Sequence, residues 1–286
     1  MKKVLFITVI AITLAFTSDK PAYLLFDKTG KVISYEKMLT DLKTADIVFF
    51  GELHNNPISH WMELQITKDL FVAKKQNLIL GAEMFESDNQ IIMNEYLSGK
   101  IKSNSFKNEM RLWPNYETDY KPLFEFANSN KIPFIATNIP RRYASIVAKS
   151  GFDKLKDLSP DAKKYIAPLP INYDKNIDCY KDMMSMKNMP AHVTENLPKA
   201  QAIKDATMAY FILKNWQQGK LFLHYNGSYH SDRHQGIVWH LMVQNPKLKI
   251  LTITTVSQKD ISTISEETKK LADFIVVVPE DMTTTY

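Results

Sequence analysis

The sequence predicts an α/β fold: a mostly parallel central sheet with helices on both faces and a helical insertion that caps it. Two observations carry the sheet. Short apolar runs without polar alternation recur along the chain, as strands buried on both faces require, and segments with helical spacing separate them. A third observation carries the insertion. From Gly151 to Pro198 the rhythm breaks, with scattered prolines, no convincing strand, and a methionine cluster at Met183, Met184, Met186 and Met189.

The elements follow in order. Lys2 and Lys3 precede an uncharged run from Val4 to Phe16, then Thr17, Ser18 and Asp19. An apolar core this short suits a secretory signal peptide over residues 1–17 better than a span of ~20 residues, with a retained anchor helix as the alternative. No cysteine stands near this cut, so a lipobox is missing and a lipid anchor is not supported. The chain is expected to be exported, periplasmic or membrane-associated. Residues 18–150 then form the first part of the α/β domain, 151–198 the insertion, and 199–286 the second part.

"YLLFDKTGKVISYEKML" reads as two short strands about Lys28-Thr29-Gly30 and then a helix. Asp46 to Gly51 is a strand, and Pro57 opens a helix whose stripe is Ile58, Trp61, Met62, Ile66 and Leu70. Asn77 to Phe85 is a strand, and Gln90 to Leu97 and Tyr120 to Asn130 are helices. "IPFIATN" is a strand and Arg142 to Lys149 a helix. In "AQAIKDATMAYFI", Ile203, Ala206, Thr207, Tyr210 and Phe211 form a core face, while Gln201, Asp205 and Met208 form a second face that either lines the site or is buried between helices. Strands "KLFLHYNG", "LKILTITTV" and "DFIVVVP" alternate with helices over Gln235 to Val243 and Ser265 to Leu271.

Composition narrows the function. The 286 residues are 45% hydrophobic and 23% charged, enough apolar material for one large domain or a domain with an insertion. The net charge of +5 is spread thinly without a basic block, which argues against nucleic acid and leaves a small anionic ligand compatible. Cys179 is the single cysteine, so an internal disulfide, a cysteine-based zinc site and a redox pair are excluded.

In an open parallel sheet, ligands bind at the carboxyl ends of the strands. Here those ends deliver Glu52 and His54, then Glu83, then Asn138 with Arg141 beyond, then Asn226, Gly227 and His230. Each has a plainer reading too. Glu52 suits a cap for the helix opening at Pro57. His54 and His60 are off a single helical face and converge only if the turn before Pro57 folds back. Glu83 follows an apolar run and must pair with something. His224, His234 and His240 read as structural or exposed.

At these residues the sequence resembles the ChaN-like haem-binding uptake family of the Tiki superfamily. The resemblance runs through "ADIVFFGELHNNPISH", "GAEMF" with Gln90, Trp113 to Tyr120, "IPFIATNIPRR", "AQAIKDATMA" and "NGSYHSDRHQGIVWHL". It implies an α/β domain with a helical insertion in exported bacterial proteins. It also implies a haem ligand held by a tyrosine, homodimers around stacked haems, and delivery to outer-membrane uptake machinery. Wider superfamily relatives are hydrolases of the metalloprotease and erythromycin-esterase type. Two readings follow. In the first the chain binds haem, with Tyr173 or Tyr180 as iron ligand and His60, Asn138, Arg141, Arg142, Gln201 and Asp205 around the ligand; Tyr165 and His192 belong to the same insertion. In the second, Glu52, His54, Glu83 and His230 hold a divalent metal or activate water for hydrolysis.

Overall fold

The computed structural model describes residues 20–184 and 195–286. The expected signal peptide over 1–17, and Met186, Met189 and His192 of the insertion, lie outside the described residues. The strands are β1 Leu24–Asp27, β2 Ile47–Glu52, β3 Leu78–Glu86, β4 Phe134–Asn138, β5 Leu221–Gly227, β6 Ile250–Gln258 and β7 Phe274–Pro279. The helices are α1 Tyr35–Leu42, α2 Pro57–Lys74, α3 Gln90–Leu97, α4 Ser103–Glu109, α5 Lys121–Asn130, α6 Arg141–Ser150, α7 Pro160–Lys163, α8 Asp178–Met183, α9 Leu197–Asn215, α10 Ile237–Gln244 and α11 Glu266–Lys269.

One sheet in the order β1-β7-β6-β2-β5-β3-β4 joins all seven strands. Every pairing is parallel except β1 with β7. Strands β2, β3 and β5 are buried at every position, which explains their unbroken apolar runs. One face packs on α1 to α5 through Met38, Met62, Leu70, Phe106 and Phe124. The other packs on α9 and α10 through Met208, Ile212, Ile237 and Leu241.

Two sequence expectations change here. The second strand after Lys28-Thr29-Gly30 reduces to a single bridge between Phe26 and Val32. The buried face of α2 is Ser59, His60, Met62, Glu63, Ile66, Thr67 and Leu70, while Trp61 is 46% exposed. Both the hydrophobic count and the true face include Met62, Ile66 and Leu70, but the packing turns polar His60 and Glu63 inward. Among the described residues of 151–198 there is no strand. The segment packs on α6 and α9, through Leu155 and Ile166 beside Val147 and Ile203, and through Cys179 and Tyr180 beside Ala202. No helix among the described residues is long and apolar enough to cross a membrane.

Strand order sets the geometry of the site. The chain runs from β2 out to β3 and β4, and β5 then returns between β2 and β3. Gly51 is thereby aligned with Asn226, and Glu52 with Gly227. Directly after β5, the Ser228 turn crosses the end of β2. A Cβ on Gly51 would stand 2.9 Å from the Ser228 Cα and 3.1 Å from the Ile253 carbonyl oxygen, both backbone atoms that cannot swing aside. Gly51→Ala is therefore expected to cost about 1–3 kcal/mol as overpacking, read as a lower midpoint in urea unfolding. An unchanged midpoint would show that the turn does not lie on β2 in this way.

Candidate functional site

The turn after β2 carries the first group of polar side chains. Asn56, not Glu52, caps α2: its side-chain oxygen accepts the backbone N–H groups of Ile58 and Ser59, with Pro57 in the first helical position. Glu52 is thus released from capping and turns inward, 1% exposed. The His54 Nδ1–H donates to Glu52 Oε1 at 2.7 Å, and the Tyr120 hydroxyl donates to the same oxygen at 2.7 Å. The chain does fold back before Pro57. His60 donates from Nε2 to the His54 carbonyl at 3.1 Å, and its Nδ1 lies 3.1 Å from Glu63 Oε2 and 3.7 Å from Glu52 Oε2. A π-helical turn, Tyr116–Tyr120, supplies Tyr120 and also Asp119, whose Oδ2 lies 3.5 Å from His60 Nε2.

Two carboxyl groups without water confront each other here. Burial, followed by the facing Glu63, pushes Glu52 up to about 8, and burial pushes Glu63 to about 8 as well. Glu52 Oε2 and Glu63 Oε1 are buried and meet no N–H or hydroxyl of another side chain. Among the described residues, Glu52, His60 and Glu63 form the one set of three histidine, cysteine or acidic side chains whose ligand atoms lie within 4.8 Å of one another.

The second group gathers on β3, β5 and α9. Regular pairing of β3 with β5 ends at Ala82 and Tyr225, and the β3–β4 register shifts between Ala82 and Glu86. Past that irregularity the Glu83 carboxylate replaces a strand carbonyl, accepting the Gly227 N–H at 2.8 Å. Its other oxygen accepts from His230 Nε2 at 3.1 Å, and His230 Nδ1 donates to Asp205 of α9. Asp205 in turn accepts the Tyr180 hydroxyl at 2.9 Å. Burial works against the His230 cation, but the charges of Glu83 and Asp205 prevail and lift it to about 10. Burial likewise opposes the Glu83 carboxylate, and the facing His230 outweighs it, so Glu83 is held far below the usual range. The result is a buried carboxylate–imidazolium–carboxylate chain.

His54 lies between the two groups. Its ring rests on Gly227, where a Cβ would come within 2.7 Å of Cε1 and Nε2, so this glycine is needed for the close approach. The other flank is Trp113, edge-on at 4.8 Å between ring centres. Its side chain is 36% exposed, more open than that of Glu52, His60, Glu63, Glu83 or His230. Burial disfavours the His54 cation, yet the bond and charge of Glu52, with Glu83 behind, raise its pKa.

The structure divides the sequence-derived set. Glu52, His54, Glu83 and His230 form a contiguous row rather than a ring about one point: Glu52 bonds His54, the His54 ring rests on Gly227 beside Glu83, and Glu83 bonds His230, with His60 and Glu63 joining at one end and Asp205 at the other. Gln201 lies over the His230 ring, its amide nitrogen 3.1 Å from Nδ1. Asn138 ends β4 with a buried side-chain oxygen that has no partner, away from any bond to these groups. Arg141 is exposed, and Arg142 pairs with Asp88 at 2.7 Å. Tyr180 is fully buried and committed to Asp205, whereas Tyr173 is half-buried, packing on Phe152 and Tyr180. Met208 belongs to the core rather than the site. His224 is structural, bonded to Asn226 and Thr137, and burial holds it near 4. Glu63, Asp119 and Tyr120 were not singled out from the sequence. A glutamate three residues after His60, on the apolar face of α2, was the available clue.

The His230 chain dictates a pH dependence. The folded pKa of His230, about 10, exceeds the unfolded value of 6.5. Its contribution is therefore full below pH 6.5 and is lost as the pH rises through about 10. Glu83 is depressed instead, so its contribution is present above the reference value of 4.5 and lost on acidification. Unfolding of the wild type should become easier from pH 6.5 to 10, and His230→Gln should flatten that slope while costing about 3–5 kcal/mol near pH 6. Parallel slopes in the two proteins would contradict a buried His230 cation.

Comparison with known proteins adds to this geometry. The solved structure described as cofacial heme binding to ChaN of Campylobacter jejuni superposes with a TM-score of 0.65 at 20% identity, covering 90% of this chain and 96% of that one. A Bacillus cereus protein of known structure gives a TM-score of 0.52 at 12% identity, covering 90% and 95%. Protein RETICULATA-RELATED 5, chloroplastic, of Arabidopsis thaliana is 24% identical over 195 residues, 63% of this chain but only 25% of that protein. The profile described as "Haem-binding uptake, Tiki superfamily, ChaN" matches residues 38–241. With most of its length so matched, the chain belongs to the ChaN haem-binding uptake family of the Tiki superfamily.

Proposed function

We propose that this protein binds haem and works outside the cytoplasm in haem or iron uptake. Family membership across residues 38–241 is the observation that carries this reading. A seat for the ligand is available beside the insertion. A cleft of about 550 Å³ lies between the end of α6 and the start of α9, lined by apolar Phe152, Leu169 and Ile171 and by charges of both signs, Lys156 and Lys199 with Asp153 and Glu195, Lys156 being paired with Asp153 at 2.6 Å. That size suits a flat ligand stacked on the apolar residues, with the two lysines turned to its acidic groups. Tyr173 packs on Phe152 at 5.4 Å between ring centres, and no hydrogen bond ties its hydroxyl among the described residues. A phenolate there suits ferric iron. Tyr180 is the poorer ligand, because its hydroxyl already secures Asp205. In this assignment Lys156 and Lys199 meet the propionates, the part first expected of Arg141, Arg142 or His60. The buried groups at the strand ends then support the wall formed by α9 and α8. Two copies closing on stacked haems, and delivery to an outer-membrane receptor, extend the same proposal.

Hydrolysis has less support. The matching family model names haem rather than a hydrolysed substrate, and His230 is a cation with both ring nitrogens taken by carboxylates, which leaves only the Glu52–His54 pair to serve as a general base.

Titrating the purified protein with haemin should shift and sharpen the Soret band at stoichiometric ligand, with a ferric phenolate charge-transfer band. Tyr173→Phe should remove that band and weaken binding tenfold or more, about 1.4 kcal/mol or above, while Tyr180→Phe keeps it. A spectrum that stays that of free haemin in the wild type would sink the reading.

A further inference from the structure

Beyond haem, and independently of it, we propose that Glu52, His60 and Glu63 hold a buried divalent cation of the zinc, manganese or ferrous class. The proposal rests on where lone pairs point. His60 Nε2 lies 3.1 Å from the His54 carbonyl oxygen, which can only accept a hydrogen bond, so the ring proton resides on Nε2. In the neutral ring Nδ1 then carries a lone pair: it accepts from the Glu63 carboxyl at Oε2, 3.1 Å away, and lies 3.7 Å from Glu52 Oε2. All three of these side chains are buried, Glu52 and Glu63 at 1% exposure and His60 at 6%. Glu52 Oε2 and Glu63 Oε1 are sealed from water and meet no N–H or hydroxyl of another side chain, and a carboxyl proton bonds the two glutamates to each other. Lone pairs of one imidazole and two carboxyl groups thus converge on one point, where a bound cation takes the place of the carboxyl protons. Their ligand atoms lie within 4.8 Å of one another, a spread that metal–ligand bonds of about 2.0–2.2 Å can close with small side-chain shifts.

The surroundings have the form of a supporting shell. Asp119 Oδ2 stands 3.5 Å from His60 Nε2, and Asp119 is itself fixed by the Asn115 amide at 2.6 Å and the Thr285 hydroxyl at 2.7 Å. A carboxylate behind the distal ring nitrogen is the usual partner of a metal-bound histidine, setting its tautomer and raising its basicity. The remaining Glu52 oxygen is held by Tyr120 and His54. Nitrogen together with two carboxylates selects a borderline ion over calcium or magnesium, which prefer all-oxygen shells. With the ligands this deeply covered, the ion enters as the chain folds and adds to its stability.

The rival is a proton shared by the two carboxyls, and metal analysis separates them. Protein produced in medium supplemented with zinc and manganese, without haemin, is desalted and its metals measured by mass spectrometry. The proposal expects close to one ion per chain, retained in Glu83→Gln and lost in Glu63→Gln. It also expects the thermal midpoint of the wild type to fall with a strong chelator and return with the ion. Should Glu63→Gln fail to fold, X-ray absorption on the wild-type metal decides: a shell of oxygen with one imidazole supports the site, and sulfur or an all-water shell overturns it. Wild-type protein free of metal after incubation with excess zinc, manganese and ferrous iron overturns it, as does an ion kept equally by folded Glu63→Gln. Haemin is absent throughout, so failure here leaves the Soret titration untouched, and the reverse holds too.

Discussion

A carboxylate deprived of water must find opposite charge or give up its own, and around the carboxyl edge of this sheet Glu52, Glu63, Glu83, Asp119 and Asp205 face that choice. Glu83 resolves it with His230, which Asp205 grips from the other side. The consequences spread through the fold. Holding His230 requires the short turn after β5, that turn requires Gly51 beneath it, and Asp205 requires α9 to lie where its Tyr180 contact also anchors the insertion. Removing one partner leaves a buried charge unanswered, which costs far more than the pair contributes over an apolar replacement. The ion chain therefore works chiefly as a locator, tying the sheet edge, α9 and α8 into one arrangement.

The Glu52 group follows a different course. Two histidines reach this pair: His54 bonds Glu52, and His60 faces both glutamates while its Nε2 proton is directed to a backbone carbonyl. Here burial pushes both carboxyls up to about 8, so they answer it by holding protons, where Glu83 answers it with the His230 cation. The contrast separates a self-contained structural chain from the group proposed to hold a metal ion. His54 bridges the two, exposed on one side and hydrogen-bonded to Glu52 on the other, so a change in either group reaches the surface through that ring.

Much of this was legible in the residues. Unbroken apolar runs located β2, β3 and β5 because both sheet faces are covered, and the strand-end rule brought Glu52, Glu83 and His230 to one edge. The requirement that a buried Glu83 be paired led to a true partner. What the sequence concealed was three-dimensional. Strand order, with β5 returning between β2 and β3, is not encoded in any local pattern, yet it decides that Gly227 abuts Glu52. Apolar counting placed Trp61 inside and passed over Glu63, because a polar residue on a buried face lowers the signal that counting measures. Asp119 and Tyr120 arrive on a π-helical turn remote in sequence. Tyr180 was read as a ligand from its neighbourhood, and the Asp205 bond that engages it spans elements no periodicity connects. The position of Tyr173 on Phe152, by contrast, leaves its phenol available at the insertion.

In the proposed arrangement the ligand lies against the insertion while the buried chain remains intact behind it. Crystals grown with haemin and measured at the iron absorption edge test this in a single map. The expected result is one anomalous iron peak per chain beside the Tyr173 hydroxyl, over the Phe152–Ile171 cleft, with Glu83, His230 and Asp205 still joined. An iron peak elsewhere on the molecule, or none in crystals of haem-saturated protein, would contradict it.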